Sequence, residues 1–512
     1  MLNKEWKKLQ NGSDIRGYAI ETEGGQSVNL TDEAVEAIAA SFGMWLSRKK
    51  EIPVTGLRVS VGTDSRLSAP RLKAAVIRGL TFVGCTVFDC NMASTPAMFM
   101  STVIKGREYD GSIMITASHL PFNRNGLKFF IPEGGLEKQD IGEVLELAQE
   151  KEYKTAFITG TVVTVDLISI YAAGLVWLIQ EGVNHPEHFD QPLKGFKILV
   201  DAGNGGGGFF AQKVLAPLGA DITGSQFLEP DGSFPNHMPN PEDEAAMESV
   251  TRAVLENHAD LGIIFDTDVD RAGAVASNGK EINKNKLIAL MSSIVLEKYP
   301  HSTIVTDSIT SSGLKSFIED KLGGIHHRFK RGYKNVINES IRLNQQGKES
   351  HLAIETSGHG ALKENFFLDD GAYLMTKLII KMAKLKLEGN KTIDSLIAEL
   401  AEPVEGKEFR MNIQIENFRD YGTRIIEELT AYAGNQPGWN IAPDNYEGIR
   451  VSFGKEEGDG WFLLRLSLHD PLIPLNIESD SIGGVVIIAK KLYTFLKGYT
   501  GLDITPLHTY IG

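Results

Sequence analysis

The sequence lacks the features that mark several protein classes. Its 512 residues include 2 cysteines, Cys85 and Cys90, too few for a disulfide framework or a four-ligand zinc site. The most apolar stretch, 167–179, is shorter than the ~20 residues that span a bilayer, and it predicts a buried helix face. No apolar stretch follows the basic N-terminus, so we expect no secretory signal, no membrane partner and a cytoplasmic protein.

Basic residues are also outnumbered by acidic residues. The chain has 52 basic and 66 acidic residues, a net charge of −14. This balance argues against nucleic acid as the main partner, although a local cluster of Arg and Lys can still bind a small anion.

Strand-like and helix-like segments alternate along much of the chain. Its length is sufficient for about three or four domains. Val- and Ile-rich segments predict buried strands at 57–62, 86–90, 112–116, 196–202, 261–266, 302–307 and 352–356. Helical patterns lie between them at 69–83, 244–258, 284–298 and 371–384. The alternation predicts α/β domains with mixed, largely parallel sheets, whose ligands collect at the carboxyl ends of the strands.

The pattern changes after about residue 403. Alternating strands and two helices, at 416–433 and 481–497, predict a smaller C-terminal α+β domain with an antiparallel sheet. With boundaries placed near 160, 280 and 403, the predicted domains are 1–160, 161–279, 280–403 and 404–512.

The segment ITASHLPFNRNGLKFF (115–130) places a serine after a strand and before a loop rich in Pro, Asn and Gly. Such a loop can hold the hydroxyl of Ser118 in a fixed position as a nucleophile. His119 and Lys128 are candidates to carry a proton or to bind phosphate. Most turn serines are structural, so the motif gains weight from its neighbours.

The segment LGIIFDTDVDRAG (261–273) places Asp266, Asp268 and Asp270 after an apolar strand, where an extended backbone would direct all three to one side. Hard oxygen donors in this number suit Mg²⁺, and Arg271 could bind a phosphate. An EF-hand would need glycine at position 271. Phosphatases with an aspartate nucleophile resemble D-x-D but need Thr or Val where Asp270 stands. A solvated acidic turn is the remaining alternative.

Two further segments carry polar groups suited to a sugar phosphate. In AIETSGHG (353–360), Glu355 and Ser357 could bind sugar hydroxyls, Gly358 permits a sharp turn and His359 could act as an acid or base. In LLRLSLHDP (463–471), Arg465 and Ser467 would point the same way along a strand and could bind a phosphate. A capped strand end and a surface arginine are the structural alternatives.

The segment GNGGGG (203–208) formally matches a dinucleotide-binding fingerprint. A run of glycines satisfies many patterns, so we interpret it as a tight turn between a strand and a helix.

Taken together, these segments resemble the α-D-phosphohexomutase family, in particular its phosphomannomutase/phosphoglucomutase group. The matching segments occur in order: GSDIRG (12–17), VGTDSRLSAP (61–70), TASHLP, VDAGNGGGG, PDGSFPNHMPNPE (230–242), DTDVDR, RGYKNV (331–336), ETSGH and RLSLHDP. The resemblance implies four domains around a central cleft, three α/β and one smaller α+β.

The resemblance also implies roles for residues. Ser118 would be the phosphoserine and would help Asp266, Asp268 and Asp270 hold Mg²⁺. Catalytic groups around the transferring phosphoryl group would be His119, Lys128, Arg16, Arg271 and His359. Groups that bind the sugar and its other phosphate would be Glu355, Ser357, Lys334, Arg465, Ser467 and His469. The implied reaction interconverts hexose 1-phosphate and hexose 6-phosphate of glucose or mannose, with a hexose 1,6-bisphosphate as intermediate and activator.

The sequence departs from the family pattern at Leu120, where Asn is usual, and at Leu468 and His469, where small or polar residues are usual. The same chemistry on glucosamine phosphate, or synthesis of a hexose bisphosphate, therefore stays open. A catalytically silent phosphosugar-binding relative is the alternative of another class, and the intact serine, three aspartates and Lys128 argue against it.

Overall fold

The chain forms two compact units in the computed structural model, which describes residues 2–153, 155–389, 391–467 and 470–512. The first unit comprises Met1–Asn283 and Ser357–Ser395. The second comprises Lys284–Thr356 and Leu396–Gly512. The chain therefore returns once to the first unit before the second is complete.

The N-terminal part of the first unit is built on a mixed sheet. Its strands are β1 Gln10–Asn11, β2 Asp14–Tyr18, β3 Arg58–Thr63, β4 Thr86–Met92, β5 Gly111–Ile115, β6 Arg124–Ile131, β7 Gly134–Gly135 and β8 Val162–Thr164. Its helices are α1 Lys4–Leu9, α2 Asp32–Lys50, α3 Ala69–Phe82, α4 Thr95–Met100, α5 Lys138–Glu150 and α6 Leu167–Val183, with a 3₁₀ turn at Val54–Gly56. The strand order is β1-β2-β6-β5-β3-β4-β8, and β3 is parallel to both β4 and β5.

The core of this part lies between the sheet and its helices. On α3 the buried residues Leu72, Ala75, Val76 and Leu80 recur at helical spacing and face inward. A Cβ at Gly79 would lie 2.2 Å from the carbonyl oxygen of Glu36, so glycine lets α3 approach α2 closely.

A smaller mixed sheet completes most of the first unit. It has the order β12-β11-β10-β9, from β9 Ile198–Asp201, β10 Leu261–Phe265, β11 Ala272–Ala276 and β12 Glu281–Ile282. A π-helical segment, Phe210–Leu215, and helix α7 Glu244–Asn257 connect β9 to β10, which are parallel. The other two pairings are antiparallel.

The N-terminal part of the second unit contains three parallel strands with helices between them. Its elements here are α8 Lys284–Lys298, β13 Thr303–Thr306, α9 Ser312–Ser316, a π-helical segment Phe317–Lys321, β14 Ile325–Arg328, α10 Tyr333–Gln345 and β15 Ser350–Ile354. Strand β13 lies between β14 and β15. The chain then adds β16 Gly360–Leu362, a 3₁₀ turn Lys363–Asn365, β17 Leu368–Asp369, α11 Gly371–Leu387 and a 3₁₀ turn Ile393–Ile397, largely within the first unit.

The C-terminal part of the second unit is an antiparallel sheet with helices. Its elements are β18 Glu405–Asn412, α12 Phe418–Gly434, β19 Asn440–Ile441, β20 Ile449–Phe453, a 3₁₀ turn Lys455–Glu457, β21 Gly460–Leu464, β22 Leu472–Ser479, α13 Gly484–Leu496 and α14 Thr505–Ile511. The strand order is β18-β22-β21-β20-β19. This confirms the predicted change to an antiparallel α+β arrangement.

Both cysteines are buried free thiols, and burial raises the pKa of each to about 12. Within the described ranges, no helix is both long enough and apolar enough to cross a membrane.

Candidate active site

Ser118 lies in the loop between β5 and β6 of the first unit. It is buried, and its backbone has φ 52°, in the left-handed region that non-glycine residues rarely adopt. Its amide donates to Thr116 Oγ1 (2.9 Å) and its hydroxyl donates to Asp266 Oδ2 (3.0 Å). The loop thus holds the predicted nucleophile in an uncommon conformation beside the acidic loop, as functional sites often do.

A buried arginine holds this serine loop in place. The guanidinium of Arg66 donates to the carbonyl oxygens of Ser118, Leu120, Pro121 and Arg124, with N···O distances between 2.5 and 3.0 Å. Its Nε donates to Asp64 Oδ2 (3.2 Å). One planar side chain therefore satisfies four loop carbonyls at once, which fixes the loop backbone.

The acidic loop begins where β10 ends. It is a turn, closed by a hydrogen bond from the Val269 amide to the Asp266 carbonyl oxygen (3.3 Å), and Val269 has φ 68°. The expectation of an extended backbone here was wrong. The carboxylates of Asp266, Asp268 and Asp270 converge because of this turn, and their ligand oxygens lie within 4.8 Å of one another.

The carboxylate oxygens fit a metal ion. Oδ1 of Asp268 and Oδ1 of Asp270 are buried and have no hydrogen-bond partner among the residues that the structure describes. Burial, together with the two neighbouring carboxylates, raises the pKa of Asp266 well above its usual range. Orphaned oxygens and mutual repulsion are what a bound cation would relieve, so the three aspartates can hold a metal ion.

Another side chain orients one of these ligands. Thr95, in the first turn of α4, donates its hydroxyl to Asp268 Oδ2 (2.5 Å) and its amide to the Asp268 carbonyl oxygen (2.8 Å). The second oxygen of Asp268 is thereby left for a cation.

Two cationic side chains extend from neighbouring strands toward these groups. Lys128 on β6 is ion-paired with Asp270 and lies 3.3 Å from Asp268 Oδ2. Burial alone would raise the pKa of Asp270, but the charges of Lys128 and Arg271 lower it overall. Arg16 on β2 is opposite Gly126 of β6 and forms an ion pair with Asp14 (3.0 Å). Its positive charge helps to lower the pKa of both His119 and His359.

Arg271 connects the acidic loop to two other segments. Its amide donates to Asp266 Oδ1 (3.2 Å), and its Nη1 pairs with Glu242 Oε2 (3.3 Å). Its Nε donates to His359 Nε2 (3.3 Å). The guanidinium is therefore oriented from both sides, as a phosphate-binding fork needs to be.

Both candidate histidines are neutral at ordinary pH. The charge of Arg271, followed by burial, lowers the pKa of His119 to about 2. Burial, followed by the charge of Arg271, lowers the pKa of His359 well below its usual range. Since Nε2 of His359 accepts from Arg271, its Nδ1 carries the proton and donates to Ser357 Oγ (3.0 Å). His119 Nδ1 lies 3.3 Å from Ser118 Oγ.

The glycine run packs against the acidic loop. A Cβ at Gly205 would lie 2.8 Å from Cα of Thr267, and the Gly206 amide donates to the Thr267 carbonyl oxygen (2.8 Å). The prediction of a tight turn is confirmed, and these glycines are needed for close packing.

The second unit brings together another group of predicted residues. Glu355, directly after β15, is buried and accepts from the Gly332 amide (2.6 Å). Arg465 follows β21, which ends at Leu464 although the strand was expected to include both Arg465 and Ser467, yet its amide still donates to the Pro474 carbonyl oxygen (3.1 Å). The Ser467 amide likewise donates to the Leu472 carbonyl oxygen (3.0 Å), so the strand-like alternation continues past β21.

The other residues predicted to bind the sugar and its phosphate lie in several parts of the chain. Ser467 Oγ accepts from the Asp470 amide (3.2 Å), and Lys334 lies in the first turn of α10. His469 and Leu468 lie outside the described residues. Ser357 and His359 belong to the first unit, whereas Glu355 belongs to the second.

Sequence reasoning assigned no role to Arg66, Thr95, Glu242 or Glu447. Arg66 and Glu242 lie in segments that carried the family resemblance, 61–70 and 230–242, so those motifs held a signal. Neither Thr95 nor Glu447 lies in a segment whose pattern suggested a site. Their partners, Asp268 and Ser308, are 173 and 139 residues away in the sequence.

Comparison with protein-family models gives three consecutive matches. They are to the phosphoglucomutase/phosphomannomutase alpha/beta/alpha domain I (residues 7–155), domain II (residues 180–279) and domain III (residues 283–404). Together these matches span well over half of the chain.

Individual proteins give the same result. The chain is 29% identical to a phosphoglucomutase of Neisseria gonorrhoeae, over 96% of this chain and 97% of that one. It is 30% identical to a phosphoglucomutase/phosphomannomutase of Thermococcus kodakarensis, over 93% and 95%. A solved phosphoglucomutase/phosphomannomutase family protein of Burkholderia thailandensis matches with a TM-score of 0.79 and 25% identity, over 98% of this chain and 100% of that one.

Proposed function

This chain belongs to the phosphoglucomutase/phosphomannomutase family, and from that premise we propose that it interconverts hexose 1-phosphate and hexose 6-phosphate of glucose, mannose or both. The single observation that carries this proposal is the position of the Ser118 hydroxyl. It lies 3.0 Å from Asp266 Oδ2, in the cluster of three carboxylates that can hold a metal ion. A serine that only closed a turn would not need this environment.

We propose Mg²⁺ as the metal. Three buried carboxylates supply hard oxygen ligands, and a phosphate oxygen on Ser118 would add a fourth. When bound, Mg²⁺ would offset the negative charge of the transferring phosphoryl group.

The protein's own groups would then act on that phosphoryl group. In the transfer step the bond from Ser118 Oγ to phosphorus breaks and a bond from the sugar hydroxyl oxygen to phosphorus forms. The hydroxyl proton passes to a basic group, and Ser118 Oγ takes up a proton and becomes a hydroxyl again. The cations Arg16, Lys128 and Arg271 would stabilise the charge on the transferring group. The neutral imidazole of His119 would orient it by a hydrogen bond, and His359 would act through Arg271, whose Nε donates to His359 Nε2 (3.3 Å).

Recognition of the sugar phosphate would use the remaining predicted residues. Glu355 and Ser357 would bind sugar hydroxyls, and Arg465, Ser467, His469 and Lys334 would bind the phosphate that is not reacting. After the first transfer a hexose 1,6-bisphosphate would turn around and return its other phosphate to Ser118. The same bisphosphate would phosphorylate fresh enzyme and so act as an activator.

The four segments 1–160, 161–279, 280–403 and 404–512 would each contribute one of these groups of residues. The two buried free thiols support a reducing compartment, for which we propose the cytoplasm. The proposed partners are small hexose phosphates.

A coupled mutase assay tests the proposal. Purified protein would be assayed with Mg²⁺ and a trace of glucose 1,6-bisphosphate on glucose 1-phosphate, mannose 1-phosphate and glucosamine 1-phosphate. We expect turnover of at least one substrate by the wild type, near-complete loss in Ser118→Ala, and no change in Ser277→Ala, which alters an exposed serine. A folded Ser118→Ala protein with more than about a tenth of wild-type turnover would refute the phosphoserine mechanism.

A further inference from the structure

A carboxylate outside every motif connects the predicted sugar- and phosphate-binding groups of the second unit. Glu447 lies just before β20, and its side chain is 9% exposed. Its Oε2 accepts from Ser308 Oγ (2.7 Å) and from the Arg331 amide (3.0 Å). Its Oε1 lies 3.8 Å from Arg465 Nη1. One side chain therefore contacts two loops of the α/β part and the arginine that follows β21.

Two consecutive backbone amides in the loop at 331–332 each donate a hydrogen bond to a different carboxylate. The Arg331 amide donates to Glu447, and the Gly332 amide donates to Glu355 (2.6 Å). Gly332 has φ 116°, a conformation that favours glycine. Because adjacent residues are joined by one rigid peptide unit, with Cα atoms ~3.8 Å apart, the loop sets the separation of the two carboxylates.

Glu447 forms an ion pair with Arg465 but does not use all of its hydrogen-bond donors. The guanidinium is buried, and its Nε has no hydrogen-bond partner among the residues that the structure describes. Burial lowers the pKa of Arg465, a sign that its charge is incompletely compensated. The 3.8 Å ion pair orients the guanidinium while leaving donors of its planar fork for a tetrahedral anion.

We propose that Glu447 is a positioning residue for the hexose phosphate. It fixes the guanidinium of Arg465 at a set distance from the carboxylate of Glu355, so that the phosphate that is not reacting and the sugar hydroxyls are bound at matching positions. This inference rests on the proposed function, because it assumes that Arg465 binds phosphate and Glu355 binds the sugar.

The test compares Glu447→Gln with Arg465→Ala and with the double variant. Glutamine keeps the size of the side chain but turns one acceptor into a donor and removes the charge. Glu457→Gln is the control, since Glu457 pairs with Lys491 near the surface of the same C-terminal part. Ser308→Ala is a milder variant that removes one support of Glu447, in case Glu447→Gln fails to fold.

We expect Glu447→Gln to raise KM for glucose 1-phosphate about tenfold with kcat within about threefold, since it weakens binding in the ground and transition states alike. Ser308→Ala should shift KM in the same direction by less, and Glu457→Gln should leave it unchanged. In the double variant the loss should not exceed that of Arg465→Ala, because Glu447 acts through Arg465.

Three results would overturn the inference. They are an unchanged KM in folded Glu447→Gln, a lower KM, which would make Glu447 a competitor of phosphate for Arg465, or additive losses in the double variant. Calorimetric binding of glucose 1-phosphate to the same variants gives a second readout. If the wild type turns over no hexose phosphate, the proposed function fails, and equal binding by wild type and Glu447→Gln would then decide against this inference separately.

Discussion

Replacement of Arg66 by lysine should damage catalysis far more than stability. Arg66 donates to four backbone carbonyl oxygens of the loop that carries Ser118, and its side chain is fully buried. Lysine keeps the positive charge for Asp64 but presents a single ammonium group, which cannot reach all four carbonyls from one position. We estimate that at least two carbonyls lose their donor.

The size of the effect follows from these contacts. A buried polar group left without a partner costs about 1–3 kcal/mol, so two such groups disfavour the ordered loop by about 2–6 kcal/mol. Because the lost contacts lie within one loop, the loop should rearrange while the core of the unit stays folded. Displacement of a reacting atom by ~1 Å can lower a rate about 10²-fold, and we expect a fall of that order in kcat for Arg66→Lys.

The assay is steady-state kinetics on phosphorylated enzyme, with thermal unfolding followed in parallel. Arg71→Lys is the matched control. Arg71 lies five residues further along, pairs with Asp32 at the surface and donates to the Ala19 carbonyl oxygen (2.8 Å). We expect the control to keep wild-type kinetics. A folded Arg66→Lys protein with kcat within about threefold of wild type would refute the proposed role of this arginine.

Two further predictions concern the acidic loop. Without metal, the raised pKa of Asp266 means that the native state binds its proton more tightly than the unfolded state, so stability falls as pH rises through that raised pKa. In the presence of a chelator, the Asp266→Asn variant should therefore unfold at a higher temperature than wild type at pH 7–8. This difference in unfolding temperature should shrink as the pH is lowered toward about 3.9, the pKa of an aspartate in the unfolded chain. A variant that unfolds at a lower temperature than wild type at every pH would contradict this prediction. Val269 and Val275 are both fully buried valines, but Val269 alone has positive φ. Val269→Gly should destabilise the protein by about 1–3 kcal/mol less than Val275→Gly in denaturant unfolding, and equal losses would show that φ 68° carries no strain.

The elements of the fold were predictable because each is encoded locally. The helix predicted at 69–83 is observed at Ala69–Phe82, and the one predicted at 244–258 is observed at Glu244–Asn257. Hydrophobic periodicity and capping residues lie within the segment they describe, and Asp243 at the start of α7 accepts from the Ala246 amide as such a cap should.

The side chains that support the site were not predictable in this way. Arg66 reaches the carbonyl oxygen of Ser118 across 52 residues, and Thr95 reaches Asp268 across 173. No local pattern records such contacts. The turn of the acidic loop was also hidden, because a β-branched residue such as Val269 normally favours extended backbone and gives no sign of positive φ.

The charges around Ser118 imply that metal binding and phosphorylation depend on each other. The three aspartates outnumber Lys128 and Arg271, the cations that contact them. A phosphoryl group on Ser118 would add a charge of about −1.5 to −2 beside Asp266, whereas Mg²⁺ would compensate it. Even at an effective dielectric constant of ~20, unit charges ~4 Å apart interact by about 4 kcal/mol, so phosphorylated protein should bind Mg²⁺ at least about tenfold more tightly than dephosphorylated protein. Calorimetric titration of the two forms measures this difference. Ser118→Ala, which cannot be phosphorylated, should match the dephosphorylated form, and equal affinities in phosphorylated and dephosphorylated protein would mean that the phosphate on Ser118 does not contact the metal.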